Sequence, residues 1–405
     1  MFPLRRLFIL LPTISTGLVR LVQLAILLVL SNIASGEERN LLVAGFGLLS
    51  SFAMMTDSGA GNFLLSTPLA HISRAIYNKA IVFHFGLAAI GSILAISFIA
   101  VPARGDIPQA SLILLIAFAA TQSIDSTSRI VRAPAMVAGR DAAYALPDVV
   151  LLLLKLPILV ATVATADLQF LLLLPIPSLI VVAATYATAR SRLPVNGNNQ
   201  ERIYRRILEF GATGALSAFY SQSPLLIATT FLPLSELATL TIVYRIIQAL
   251  DLVPGTLSLQ MIPRVRNRTT GPGTYWIAFF VGGALISAAV LIARPLIEYL
   301  FGEPFGDIAV FVLVALSFAP KSANYALVAF LMGKGLIRTR LVLTAFACVT
   351  SVALAFVLVV TAGVTGLAVV TLTVELLFAA GGFLALRRIR NSRPEVFESS
   401  DAEAR

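Results

Sequence analysis

Charge is scarce in this chain, and that scarcity decides its class. Lysine, arginine, aspartate and glutamate make up 12% of 405 residues, against 58% apolar, where a soluble domain carries roughly 25% charged residues. Thiols are scarcer still: Cys348 is the only cysteine, which excludes a disulfide framework and a thiolate metal cluster. The two histidines, His71 and His84, stand near one end of the third apolar segment, where interfacial packing accounts for them better than metal ligation. A GxxxxGK(S/T) phosphate loop is missing, because Gly333-Lys334 is followed by Gly335 and lacks the upstream glycine. Any active transport must therefore run on an ion gradient, the membrane potential or substrate supply. The ten-residue alternating strands of a membrane β-barrel are absent as well.

Long apolar runs are what the chain has instead. Mean hydropathy is +0.92, and segments of about 20 residues, enough to cross a hydrocarbon core of about 30 Å as a helix, recur from Leu7 almost to Leu386. Twelve are predicted, over 7–30, 41–66, 80–101, 110–133, 143–164, 168–189, 207–231, 234–262, 275–300, 306–332, 340–361 and 365–386. The start, MFPLRRLFILL, has the charge pattern of a signal peptide, but its apolar run is too long and has no clear cleavage site, so it reads as the first span. The net charge of +10 is not gathered on one soluble face, which argues against nucleic acid as a partner. It falls in alternate loops: Arg5 and Arg6, Arg74 and Lys79, Arg129, Arg132 and Arg140, Arg190 to Arg206, Arg264 to Arg268, Lys334 to Arg340, and Arg387 to Arg393. By the positive-inside rule those loops and both termini are cytoplasmic, which requires an even number of spans.

The most polar stretch, Ala189 to Arg206, divides the spans six and six. The expected organisation is a six-helix bundle over 1–190, a cytoplasmic linker over 191–206, a second bundle over 207–390 and a polar tail over 391–405. Three features return after a shift of roughly 195 residues: Asp57 with Gly59 against Asp251 with Gly255, Met136 to Arg140 against Met332 to Lys334, and Ala189 to Pro194 against Arg388 to Pro394. The fold class expected is all-α, a polytopic membrane protein with about 12 transmembrane helices in two bundles related by a parallel pseudo-repeat, an arrangement that places a substrate cavity between the bundles.

Each charge inside a span costs roughly 2.5–3.5 kcal/mol on insertion scales, so Arg20, Lys155, Arg245 and Lys321 together represent a cost on the order of 10 kcal/mol that solvent, partners or ligand must offset. At about 100° per residue, Thr241, Tyr244, Arg245, Gln248 and Asp251 fall on one arc of their helix. Asp251 is the wrong distance along the helix for a pair with Arg245, so each must find its partner elsewhere. Polar stripes recur as Thr13, Thr16, Arg20 and Gln23, as Thr213, Ser217, Tyr220 and Ser221, and as Ser317, Lys321, Asn324 and Tyr325. Asp148 and Lys155 share a face, while Asp125 with Arg129 and Arg294 with Glu298 stand at pairing distance.

Arginines in a low-dielectric cleft suit an anion, and the planar guanidinium suits phosphate oxygens in particular. The candidate substrate-binding residues are Arg20, Arg245, Lys155, Lys321, Tyr244, Gln248 and Tyr220, with the tyrosines placed to stack on sugar rings. Asp57, Asp125, Asp251 and Glu375 are the candidates for ion coupling. Asp57 is read either as a coupling group or as the cap of a broken helix, and Glu375 either as a partner for a cation or as a proton site.

The run SPLLIATTFLPLSELATLTIVYRIIQALDLVPGTLSLQMIPRV, Ser223 to Val265, resembles the seventh and eighth helices of polysaccharide flippases, exporters of lipid-linked oligosaccharides related to multidrug-and-toxin extruders. MTDSGAGNFLLS, Met55 to Ser66, is similar to that family's second helix, and ALVAFLMGKGLIRTR, Ala326 to Arg340, to its tenth helix and following loop. The resemblance implies a non-enzymatic transporter of the bacterial inner membrane that turns a polyprenyl-diphosphate-linked glycan to the outer leaflet by alternating access, with Arg20 and Arg245 meeting the diphosphate or acidic sugars. Its partners would be that lipid-linked oligosaccharide, membrane lipids, H+ or Na+ as coupling ion and polysaccharide assembly proteins, with no cofactor or metal. A multidrug or metabolite antiporter of the same superfamily is the alternative. A lipid-carrier glycosyltransferase is disfavoured, since the longest outer loop, Ser31 to Asn40, is too short to hold its catalytic groups.

Overall fold

A computed structural model of the chain describes residues 3–195, 203–266, 272–302 and 304–392. The middle of the expected linker and most of the tail lie outside the described residues. So do the side chains of Arg5, Arg6, Thr13, Thr16, Thr213, Arg264, Arg266, Arg388 and Arg390.

Among the described residues all regular structure is helical. The helices are α1 (Pro3–Ile33), α2 (Gly36–Met55), α3 (Ala60–Ser66), α4 (Arg74–Ala100), α5 (Gln109–Val131), α6 (Ala133–Val137), α7 (Asp141–Thr165), α8 (Pro175–Ser191), α9 (Ile203–Phe231), α10 (Leu234–Leu250), α11 (Leu252–Arg266), α12 (Pro272–Phe301), α13 (Ile308–Gly333) and α14 (Ile337–Ser392). Nine stretches among the described residues are long and apolar enough to cross a membrane. One of these, within α14, holds the last two predicted spans, separated at Gly363, whose φ of 56° and ψ of −134° break the helix. The first and seventh predicted spans lie in α1 and α9.

The second predicted span and the eighth are both broken helices, for identifiable reasons. Between α2 and α3 the backbone turns at Gly59, whose φ of 75° favours a residue without a Cβ, and the Asp57 carboxylate accepts a hydrogen bond from the Gly59 N–H at 3.1 Å. Asp57 thus closes a local turn, while the residue that precedes α3 is Gly59 itself, with no side-chain cap. Between α10 and α11 the break falls at Asp251. Pro254 sits in the first turn of α11, where its missing N–H is harmless, but its ring would clash with the carbonyl of Leu250 if α10 ran on.

The chain divides into two compact units, one of Met1–Phe219 with Pro233–Ile242, the other of Tyr220–Leu232 with Val243–Arg405. In the first unit α1 packs on α7, α2 on α4 and α5, and α5 on α8. In the second α13 is central, packing on α11, α12 and α14. Glycines permit the closest approaches: a Cβ at Gly283 of α12 would meet Ser322 Cβ at 2.7 Å and Ala319 Cα at 3.0 Å on α13, the small-residue contact that lets membrane helices pack without a hydrophobic driving force between them. Large apolar side chains such as Leu285 and Ile292 are exposed, as they are on a surface that faces lipid.

Candidate functional site

Each unit contains a polar centre of its own. In the first, a cleft takes Gln23 from α1, Gln122 and Asp125 from α5, and Asp148 and Lys155 from α7. Lys155 is 1% exposed, and its ammonium lies 2.6 Å from Asp125 Oδ2. Asp148, which lines the same cleft, is taken by Arg132, and both side chains are 2% exposed. Arg132 also donates from Nη1 to the Tyr144 carbonyl at 3.2 Å and stacks its guanidinium 4.5 Å from the Tyr144 ring centre. Each buried charge therefore has an opposite charge, which is what makes its burial tolerable. Gln122 donates to Ser50 Oγ at 2.8 Å, fixing α5 against α2.

The pairing differs from the simplest sequence-local scheme. Asp125 bonds Lys155, thirty residues on, while Arg129, one turn away on its own helix, is exposed. Arg132, read from sequence as a loop cation, is among the most deeply buried side chains. His84 is buried rather than interfacial, with its ring nitrogens 3.1 Å from Ser58 Oγ and 3.0 Å from Ser126 Oγ. No group of three metal-ligating side chains exists among the described residues. Arg294 and Glu298 do form the expected pair, at 2.8 Å.

The second centre is richer. One cleft gathers Tyr220 and Ser221 from α9, Tyr244 and Gln248 from α10, Ser317 and Lys321 from α13, and Ser351, Thr371 and Glu375 from α14, with about 20 Å³ of open space at its middle, room for about one water molecule. Lys321 Nζ lies 2.6 Å from Asp251 Oδ2. Glu375 is 3% exposed and is held by Asn324, whose Nδ2 donates at 2.8 Å to both Oε2 and the Glu375 backbone carbonyl. The Tyr220 hydroxyl donates to Glu375 Oε1 at 3.4 Å, and its ring stacks on Phe378. The Tyr244 and Thr371 hydroxyls are hydrogen-bonded. Arg245 is 7% exposed, and its Nη1 donates to Gln248 Oε1 at 2.5 Å.

Five of the candidates named from sequence, Tyr220, Tyr244, Gln248, Lys321 and Glu375, thus line one cleft, and Asp251 joins them through Lys321. Lys155 and Asp125 belong to the other centre. Asp57 lines neither, and Arg20 is half-buried on α1 beside cleft-lining Val19, Val22 and Gln23 but is not itself among them. Thr371 and Ser351 were missed. Thr371 stands four residues before Glu375, one helical turn, and that spacing was the available signal.

No protein-family model matches the sequence, and no curated protein matches it. Solved structures do. A multidrug resistance MATE family transporter of the MOP superfamily, in its inward-facing conformation, aligns over 93% of this chain and 94% of its own with a TM-score of 0.65 and 16% identity. The lipid II flippase MurJ, inward closed, aligns over 93% of this chain and 87% of its own with a TM-score of 0.66 and 11% identity. A MOP superfamily transporter from Pyrococcus furiosus aligns over 96% and 94%, with a TM-score of 0.58 and 15% identity. At such identities the likeness is one of fold: the chain has the all-helical membrane fold of MOP superfamily transporters.

Proposed function

We propose that the chain is a transporter that moves a polyprenyl-diphosphate-linked oligosaccharide from the cytoplasmic to the outer leaflet of a bacterial inner membrane, by alternating access of its two six-helix halves. The observation that carries the reading is the Lys321–Asp251 pair, set in a cleft with Gln248, Tyr220, Tyr244 and Glu375. A lysine held by a carboxylate is a cation whose partner can be exchanged. An anionic group arriving at Lys321 competes with Asp251, and a proton or sodium ion arriving at Asp251 competes with Lys321. Cargo and coupling ion then both open the same pair, so that binding of either frees the group that the other binds, and a conformation with the pair open is favoured by both. Lys155 and Asp125 provide the same device in the first unit. The tyrosine rings and the hydroxyls of Ser317, Ser351 and Thr371 suit sugars, which present apolar faces and many hydroxyls. Arg245, one turn from Gln248, brings the planar guanidinium that fits phosphate oxygens.

The fold is shared with the lipid II flippase and with MATE transporters, so both cargo classes lie within its reach. A second reading, a cation-coupled multidrug antiporter, is favoured by one feature, the buried Glu375 beside Tyr220, since an acid with an aromatic neighbour suits a cationic drug. Reconstitution decides between them. Proteoliposomes should translocate a defined lipid-linked oligosaccharide, faster with a proton or sodium gradient, and should not extrude a cationic dye. Dye efflux without glycan translocation would replace the first reading by the second.

A further inference from the structure

A separate cavity of about 670 Å³ opens in the first unit where α5 and α6 meet the start of α7 and the end of α8. Its size lies within the range of small-molecule and cofactor pockets, and it shares no lining side chain with the cleft that holds Lys155 and Asp125. Three arginines line it and no carboxylate does. Arg140 and Arg192 are exposed at its rim, while Arg132 is buried in its wall, bound to Asp148 but with an Nε that makes no hydrogen bond. The remaining walls are small or apolar, with Ala143 and the 60% exposed Leu146 on one side and Thr188 on the other.

The walls are fixed. Gly139, at φ 68°, turns the chain from α6 into α7. Arg74 donates from Nε to the Leu193 carbonyl at 3.1 Å, and its N–H to the Pro194 carbonyl at 3.0 Å, tying the end of α8 to the start of α4. Tyr77 and Tyr186 stack behind it. The cavity stands at the end of the helices that carries Arg74, Arg129, Arg190 and Arg192, the end at which the charge pattern places the cytoplasmic leaflet.

From this arrangement we infer that the cavity is a binding site for an anionic glycerophospholipid of that leaflet, with the headgroup phosphate between Arg140 and Arg192 and an acyl chain along Leu146 and Ala143. The site is built as basic pockets between membrane helices are when they hold acidic headgroups: cations at headgroup depth, an apolar wall toward the bilayer, and no carboxylate to repel the phosphate. Arg132 couples it to the interior, because the side chain that walls the cavity also holds Asp148, which lines the cleft of Lys155. The inference does not rest on the cargo proposed above.

Native mass spectrometry of the full chain in mild detergent tests it. Titrated with phosphatidylglycerol, the protein should retain one lipid per chain. The Arg140→Gln/Arg192→Gln variant should lose about thirtyfold in retention, as two lost headgroup contacts imply. Ala143→Phe, which puts a ring in the path proposed for the acyl chain and leaves the charges, should weaken it too, whereas Arg338→Gln, an exposed arginine of the other unit, should behave as wild type. Equal retention of phosphatidylcholine, unchanged retention in both cavity variants, displacement by millimolar inorganic phosphate, or displacement by equimolar undecaprenyl phosphate would each overturn the assignment. Lipid translocation assays are not needed for the readout, so failure here leaves the transport reading standing.

Discussion

Lys321 Nζ and Asp251 Oδ2 are 2.6 Å apart although seventy residues separate them in the chain. Asp251 stands at the break between α10 and α11, and Lys321 follows Pro320 inside α13. Both side chains are nearly buried, at 13% and 12% exposure. Two irregular helices thus meet at one ion pair, and irregular backbone at membrane depth is tolerated only where protein or a water-filled cavity surrounds it.

Removing one partner should cost more than removing both. Lys321→Ala leaves Asp251 charged and buried, for which about 3–5 kcal/mol of destabilisation is expected. The double variant Lys321→Met/Asp251→Leu leaves no uncompensated charge and should unfold near the wild-type temperature in detergent. If the pair only holds helices together, the double variant should still transport. If cargo and coupling ion exchange on it, the double variant should be folded and inactive. Thermal unfolding and proteoliposome flux, measured on the same preparations, read both.

The arginines make a different prediction. Arg245 is buried beside Gln248 and Arg20 is half-buried on α1. Substitution of either by alanine should lower glycan export by about tenfold or more, the loss that one missing charge-assisted hydrogen bond produces, while protein levels in the membrane stay near normal. Arg245→Lys should recover part of the loss, since it restores charge without the planar donor pair. Normal export by both alanine variants would remove the anion-site reading, and disappearance of the protein would make the arginines structural.

What sequence could and could not disclose follows from the range of the forces involved. The helices were legible because apolar length and loop charge are local properties, each read within about 20 residues. The break near Asp57 was only partly legible: Gly59, two residues on, made a broken helix one of two readings of Asp57, beside a coupling role. Partner choice was not legible. Asp125 had Arg129 one turn away and took Lys155 on another helix, and Asp148 had Lys155 on its own face and took Arg132. A local spacing rule counts candidates along one helix, whereas a buried charge is satisfied by whichever opposite charge tertiary packing brings to it. Arg132 failed for the same reason: beside Arg129 and Arg140 it looks like one more loop cation, and only the turn at Gly139 folds it back onto α7.

Two glycines with similar backbone angles should respond very differently to alanine. At Gly59, φ is 75° and a Cβ would land on the backbone of Phe210 and Gly211. At Gly139, φ is 68° but nothing lies within 4 Å of the added atom. Gly139→Ala should therefore cost only the left-handed conformation, about 1–2 kcal/mol, whereas Gly59→Ala must also push α9 away and should sharply lower the yield of folded protein. Comparable yields and melting temperatures for the two would show that the close approach at Gly59 carries no load.

The polar cleft of the second unit predicts an inversion of ordinary accessibility. Gln248 is 3% exposed and Leu285 is 67% exposed, so in a soluble protein a reagent in water would reach position 285 first. In a membrane span Leu285 faces hydrocarbon, which a charged reagent does not enter, while Gln248 borders a space that admits water. Cys348 is buried and is the only native thiol, so Cys348→Ser gives a background free of other sites. On it, Gln248→Cys should react with a charged, membrane-impermeant maleimide in native membranes when substrate or gradient shifts the protein to a state in which the cleft is open, since the space of about 20 Å³ in this structure admits water but not the reagent. Leu285→Cys should stay unmodified until detergent is added. Labelling at 285 without labelling at 248 would mean that the cleft is dry and the α12 surface wet, and the assignment of Tyr220, Tyr244, Gln248 and Lys321 to a cargo site would be lost with it.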